Sequence, residues 1–137
     1  MKLKGFAQLN RYIQRFERNS ETAINRGIQQ TARMILADAL SRVPVDKGLL
    51  KASMGMENNT DEMNAKVYAG ALYSAFLEFG TGAFIDIPTG YDEYAKEFYV
   101  DGSGVTKPQP FLFPALFANQ EKLLPLIEAE LIKLLRK

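Results

Sequence analysis

The side chains that could do chemistry in this sequence are few, and most of them are carboxylates. Acids stand side by side at Asp61-Glu62 and Asp92-Glu93, Glu78 stands alone in an apolar run, and DGSGVTK at 101–107 brings glycines close to a lysine. Histidine and cysteine are absent. Disulfides, imidazole or thiolate metal ligands and the common nucleophile and base pairs are thereby excluded. The paired acids are not on one helical face, and nothing around them supplies the desolvation that an acid/base carboxylate needs. They read as solvent-facing. DGSGVTK lacks the G-x-x-x-x-G-K-[ST] spacing of a phosphate loop and reads as a turn. No catalytic, cofactor-binding or metal-binding residue emerges, and the expectation is a protein that is not an enzyme and carries no cofactor.

Glu78 is the acid that asks for an explanation. In AFLEFGTGAF, residues 75–84, an apolar helical pattern stops at Gly80-Thr81-Gly82. Leu72, Phe76 and Phe79 recur at i, i+4 and i+7, so Tyr73 to Phe79 is expected to form two helical turns ended by Gly80, which adopts the left-handed C-cap conformation without penalty. Glu78 then sits at a helix C-terminus, where the macrodipole disfavours an acid. A cationic partner, an arginine, is expected for it.

The elements that must position these residues follow from hydrophobic periodicity. The 137 residues are the usual size of one domain, and 47% hydrophobic with 24% charged residues suit a globular protein. The apolar stretch around 110–118 is too short to span a bilayer and the N-terminus lacks a secretory signal, so no membrane partner is expected. Phe6, Leu9, Ile13 and Phe16 share one helical face, and after Asn19-Ser20 a second run places Ile24, Ile28, Ile35 and Ala39 at similar spacing, with Ser20 as its cap. This second helix ends by Val43, before Pro44. PVDKG at 44–48 reads as a tight connection with Gly48 at positive φ. Leu50, Ala52, Met54 and Met56 alternate with polar residues, as do Ala65, Val67 and Ala69 beyond the Asn58-Asn59-Thr60-Asp61 turn, and together they predict a hairpin.

Residues 82–107 form an inserted section with turn signals at Pro88-Thr89-Gly90 and 101–104 and five aromatics, Phe84, Tyr91, Tyr94, Phe98 and Tyr99. Tyr91, Tyr94, Ala95 and Phe98 have helical spacing. Such a section is marginal by itself: either it packs on the domain or a neighbouring subunit completes its ordering. After Pro108 and Pro110, Pro114 reads as a first helical position, Leu124, Ile127, Leu131 and Leu134 or Leu135 form an apolar stripe, and Pro125 predicts a kink or a fresh start between Asn119 and Pro125. Lys133, Arg136 and Lys137 suit the helix end. The fold class expected is α+β, a long N-terminal helical region and a C-terminal helix packed on a small antiparallel sheet. Its single domain, 1–137, divides into N-terminal helices at 1–43, hairpin and short helix at 44–81, insert at 82–107 and C-terminal helix at 108–137.

Charge is uneven along the chain. Residues 1–51 hold ten Lys/Arg against four Asp/Glu, residues 52–106 two against nine, and residues 107–137 five against three. A basic start and an acidic middle suit subunits that meet head to tail, as well as two solvated faces. The arginines Arg11, Arg15, Arg18, Arg26 and Arg33 also support an alternative, a nucleic-acid-binding module using the basic N-terminal helices.

Three motifs in order carry a resemblance. PVDKGLLKAS at 44–53, VYAGALYSAFLEFGTG at 67–82 and PQPFLFPAL at 108–116 resemble the head-to-tail joining family of long-tailed bacteriophages, described as neck, tail-completion or tail-component proteins. Pro44, Val45, Asp46 and Gly48 match the first family motif, with Lys47 in place of the usual threonine. Tyr73 and Ala75 match loosely and Glu78, Phe79, Gly80 and Thr81 match the second. Pro110, Phe111, Pro114 and Ala115 match the third. The resemblance implies a non-enzymatic structural subunit of the virion, made in the host cytoplasm, that forms a ring of copies of itself. It implies as partners the connector or head-closure proteins and the tail-terminator or tail-tube proteins, with passive contact to DNA in the channel. On this view Glu78, Phe79, Gly80 and Thr81 form a rigid corner, and they are expected at an interface together with Tyr91, Tyr94, Phe98, Arg26 and Arg33. The stretch from Phe84 to Thr106 departs from the family pattern and is expected to set partner specificity.

Overall fold

The fold is set by one long helix that carries the hairpin and the C-terminal helices. It is seen in a computed structural model describing residues 5–98, 100 and 102–136, the side chain of Phe6 excepted. The expected facing of Phe6, the burial of Tyr99, the turn residue Asp101 and the helix-end charge of Lys137 lie outside the described residues.

Helix α1, Phe6–Arg42, runs unbroken for 37 residues, about 55 Å at the α-helical rise. The expected break at Asn19-Ser20 does not occur. The Ser20 hydroxyl donates back to the Glu17 carbonyl at 2.8 Å, and Thr22, Thr31 and Ser41 bond carbonyls of their preceding turns in the same way. Hydroxyls used in this manner continue a helix and do not cap a new one. Val43, extended ahead of Pro44, ends α1.

The PVDKG turn closes with Lys47 N–H on the Pro44 carbonyl at 3.0 Å. It leads into a helix, α2 at Gly48–Ser53, where the alternation at Leu50 and Ala52 had suggested strand. Gly48 opens that helix and is not among the positive-φ glycines, so the expected role for it fails. Leu50 is fully buried and Leu49 exposed, as a helix turn and not a strand face requires. The strand begins only at Met54: β1, Met54–Asn59, pairs antiparallel with β2, Asn64–Ala69, in the register Met54↔Ala69 to Asn59↔Asn64. The two strands are the whole sheet.

Helix α3, Ser74–Phe79, follows, then a 3-10 turn at Gly82–Phe84, helix α4 at Asp92–Glu97 and helix α5 at Leu112–Asn119. Leu72 precedes α3 and is exposed, not core-facing as its spacing suggested. A 3-10 turn at Gln120–Lys122 separates α5 from α6, Leu123–Leu135, which places the fresh start where Pro125 predicted it. Pro125 falls in the first turn of α6, where its missing N–H breaks no intrahelical bond. Leu124 and Leu135 are exposed, so the core-facing stripe of α6 is narrower than expected: Ile127, Leu131 and Leu134.

Helix α6 runs back antiparallel along α1. Gly27 permits the close approach, since a Cβ there would lie 2.5 Å from Ile127 Cγ1 and 3.1 Å from its backbone. Two core clusters result. One joins Ile35, Ala39 and Val43 of α1 to Leu50, Leu77, Phe111 and Ala115. The other joins Ala75, Phe79 and Phe113 to Ala95 and Val100 of the insert. The insert therefore packs on the rest of the chain through its own apolar residues. The architecture is α+β, mostly helical, with long N- and C-terminal helices and a small antiparallel sheet.

Candidate functional site

Four elements meet at Glu78-Phe79-Gly80-Thr81. Helix α3 is buried on nearly every side, with Ala75, Leu77, Glu78 and Phe79 all inside, and Glu78 is only 5% exposed. Among the described residues no cation pairs with Glu78, contrary to expectation. Its carboxylate instead accepts three backbone bonds: Phe111 N–H and Leu112 N–H on Oε2 at 2.8 and 2.9 Å, and Phe113 N–H on Oε1 at 2.8 Å. These are the N-terminal amides of α5, which has no side-chain cap of its own. The next residue, Pro114, has no N–H. Every unpaired donor at the start of α5 is thus satisfied by one acid from another helix, and the positive end of that helix supplies the charge complement an arginine was expected to give.

The flanking residues hold the insert at both ends. Phe79 is fully buried, its ring 5.5 Å from that of Phe113, and its carbonyl accepts from Asp86 N–H at 2.7 Å. Gly80 takes φ 75°, and a Cβ there would meet the Phe84 carbonyl and Pro108 Cδ at 2.8 Å each. This is a position only glycine fills without strain. Thr81 donates its N–H to the Thr106 carbonyl at 2.9 Å while its Oγ1 accepts from Thr106 N–H at 2.8 Å. Leu77 O accepts from Gln109 N–H at 2.7 Å, which fixes the chain just ahead of α5.

Tyr91, Tyr94 and Phe98 form an aromatic group against the outer side of α5. Tyr91 lies 4.6 Å from Phe113 edge-on, Tyr94 lies 5.1 Å from Phe98, and Tyr94 and Phe98 remain substantially exposed. Burial pushes the Tyr94 hydroxyl above the usual tyrosine range, with Glu97 and then Glu78 adding to it. Phe84 is also exposed, with the Lys107 ammonium 5.5 Å from its ring centroid.

Arg26 and Arg33 are exposed on α1 and make no ion pair with the corner among the described residues. Arg26 lies 3.8 Å from the buried carboxylate of Glu130, which Lys133 bonds at 3.1 Å. Arg33 is exposed and makes no ion pair among the described residues. With Arg11, Arg15 and Arg18 they fall within about 80° of one another around the helix. The structure thus brings Glu78, Phe79, Gly80, Thr81, Tyr91, Tyr94 and Phe98 together and leaves Arg26 and Arg33 apart.

A second polar network was not anticipated. Asp38 accepts from Arg42 Nε at 2.8 Å and from Asn119 Nδ2 at 2.8 Å; Asn119, buried, also donates to the Ala115 carbonyl and accepts from Lys122 Nζ at 3.0 Å. The Arg42 bond holds the Asp38 carboxyl below its ordinary range against the opposing effect of burial, with the Asn119 bond and the Lys122 charge assisting. The signal that would have paired Glu78 with α5 was present: α5 begins at a phenylalanine with no capping side chain, and an unpartnered acid lay elsewhere in the chain.

Chemically the site binds backbone: the side-chain oxygens of Glu78 and Thr81 accept backbone N–H groups of distant segments. The paired acids Asp61-Glu62 and Asp92-Glu93 are solvent-exposed, and among the described residues no group of His, Cys, Asp or Glu could hold a metal ion. No described helix is long and apolar enough to cross a membrane.

No curated protein and no solved structure matches the chain significantly. A family profile does, over residues 7–80, from the exposed start of α1 through the PVDKG turn and the hairpin to Gly80. Since the matched residues are more than half of the chain, it belongs to the family described as bacteriophage HK97-gp10, putative tail-component.

Proposed function

We propose that this structural protein of a phage tail-component family serves at the head–tail joint, as the subunit of a neck or tail-completion ring that connects the tail to the DNA-filled head. The family match over residues 7–80 carries this reading. It is supported by the ordered motifs, of which the third, PQPFLFPAL, is the segment that Glu78 caps. Each subunit is small, and closing many modest contacts into a ring gives the avidity that a single contact lacks. The neighbours are further copies of the chain, with connector or head-closure proteins on one side and tail-terminator or tail-tube proteins on the other. Assembly takes place in the host cytoplasm.

Among the residues assigned to the interface, Tyr94, Phe98, Arg26 and Arg33 are exposed and are proposed to make contacts themselves. Glu78, Phe79, Gly80 and Thr81 are buried and are proposed to act by fixing the insert and α5 beneath those contacts. Arg11, Arg15, Arg18, Arg26 and Arg33 share one exposed face of α1 and fit passive contact with DNA in the channel. Negative-stain images of particles made without this chain test the reading. Tailless heads beside free tails are expected; intact infectious particles would overturn it.

A further inference from the structure

The core-facing stripe of α1 does not end where its cover ends. Helix α6 covers the stripe from Gly27 back past Ala23, and its last residues reach Asn19 and Phe16. At that edge and past it, Phe16, Ile13, Tyr12 and Leu9 continue the same face into solvent: Tyr12 and Phe16 border Leu134 at the end of α6, and Leu9 and Tyr12 are still 54% and 59% exposed. Residues 7–19 have no buried position among them. The four side chains present roughly 400 Å² of apolar surface, the size of patch that marks a binding site on many monomers.

A complementary surface lies on the insert. Tyr94 and Phe98, at the exposed side and C-terminal end of α4, form an edge-on pair bordered by Glu93 and Glu97. Tyr94 also lines a 380 Å³ groove between α1, β2 and α5, whose walls include Ile28, Val67, Tyr91, Leu116 and Leu123. An amphipathic helix laid into such a groove is a recurring docking mode. We propose that the stripe Leu9, Tyr12, Ile13 and Phe16 of one copy docks on the Tyr94–Phe98 ridge and its groove on the next copy, head to tail. The proposal rests on the ring reading above and names the contact that builds the ring.

Three observations select this occupant. Charge is the first: residues 7–19 carry three arginines against one glutamate, whereas residues 82–98 carry four acids against one lysine. Pairing two α1 stripes with each other would bring like charges together, while docking on the insert brings Arg15, at the border of the stripe, toward Glu97. Distance is the second. The stripe is roughly 20 Å along the same rigid helix from the residues that line the groove, so a chain cannot fill its own. Area is the third: the stripe supplies about half of the ~800 Å² per partner of a stable pairwise interface. A subunit that gives one helix and receives another doubles the contact, and a heterologous contact repeated with rotation closes a ring.

The chain has no cysteine, so introduced thiols report cleanly. Chains bearing Ile13→Cys and chains bearing Phe98→Cys are produced together and the assembled particles oxidised. A cross-linked pair of subunits is expected only when both variants are present. Ile13→Cys chains linking to themselves, or no mixed link in particles that hold both variants, would overturn the proposal. In a second arm, Arg15→Glu is expected to cut incorporation into particles about tenfold or more and Glu97→Arg in the same chain to restore it, with circular dichroism unchanged in both. Failure of the second change to restore incorporation also overturns it. Infectious particles formed without the chain would remove the ring reading itself, an outcome separate from any cross-linking result.

Discussion

The first four turns of α1 and the corner at Glu78 to Thr81 are opposite solutions within one chain. Along residues 7–19 every position is exposed, the helix holds chiefly through its own hydrogen bonds, and only the end of α6 borders it, at Tyr12, Phe16 and Asn19. At the corner almost nothing is local. Glu78 bonds residues 33 to 35 positions away, Thr81 bonds one 25 positions away, and Phe79 packs its ring at a tilt against Phe113. The comparison separates two tasks of a building block. The corner makes the subunit one shape, and the start of α1 leaves an apolar face exposed.

The corner should break hardest. Glu78→Ala leaves three N–H groups unpaired, two of them buried, and with about 1–3 kcal/mol for each unsatisfied donor, offset by some water entry, a loss of about 3–5 kcal/mol is expected. Glu78→Gln should cost less, because one amide oxygen still accepts while its NH2 faces the amides of α5. Urea unfolding at constant slope measures both. A loss below about 1 kcal/mol for the alanine variant would show that water caps α5 as well as Glu78 does.

Between the extremes lies the seam where α6 packs on α1. Gly27→Ala would place a methyl 2.5 Å from Ile127 Cγ1 and 3.1 Å from the Ile127 backbone, so the helices must separate. The gain in helix propensity is under the cost of overpacking, and a net loss of about 1–3 kcal/mol is expected from thermal unfolding. Gly48→Ala is the control, since a Cβ there meets nothing within 4 Å. Its stability should be unchanged or slightly raised.

A smaller effect ties α5 to the far end of α1. The Asp38 carboxyl is held below its ordinary value of 3.8, chiefly by Arg42. Its folded form binds a proton less readily than its unfolded form, so its stabilising contribution is complete above that ordinary value and is lost as pH falls through the lower folded value. Asp38→Asn should therefore flatten the acid limb of the stability curve below about pH 4 while shifting the neutral plateau by less than either change above. Equal acid limbs would remove Asp38 from the linkage.

How much of this was legible follows the same division. Helix α1 could be read from its periodicity, and so could the hairpin turn, the glycine stop of α3 and the restart near Pro125, because each depends on residues close in sequence. The serine at position 20 misled because a hydroxyl can cap a new helix or bond back into an existing one, and only the surrounding helix decides. Leu50 and Ala52 misled because alternation over four residues fits one turn of helix as well as a short strand. The partner of Glu78 could not be read from local charge at all. An acid near a helix end suggests a cation, yet the nearest positive charge in space is the start of a helix more than thirty residues on. The network of Asp38, Asn119 and Lys122 was hidden for the same reason, since its members are set side by side only when α5 lies on α1.

The exposed end of the comparison is sharpened by the smallest change. Ile13→Ser removes an apolar side chain that is already near half exposed and touches no core cluster. The folded subunit should keep its stability to within about 0.5 kcal/mol, as substitutions away from buried features do. Incorporation into particles should fall, because the lost surface is the one a neighbouring copy would cover. Unfolding midpoint and incorporation, measured on the same variant, therefore move apart if the projecting helix serves assembly. They fall together only if residues 7–19 support the subunit's own fold, in which case the contrast between the two regions disappears.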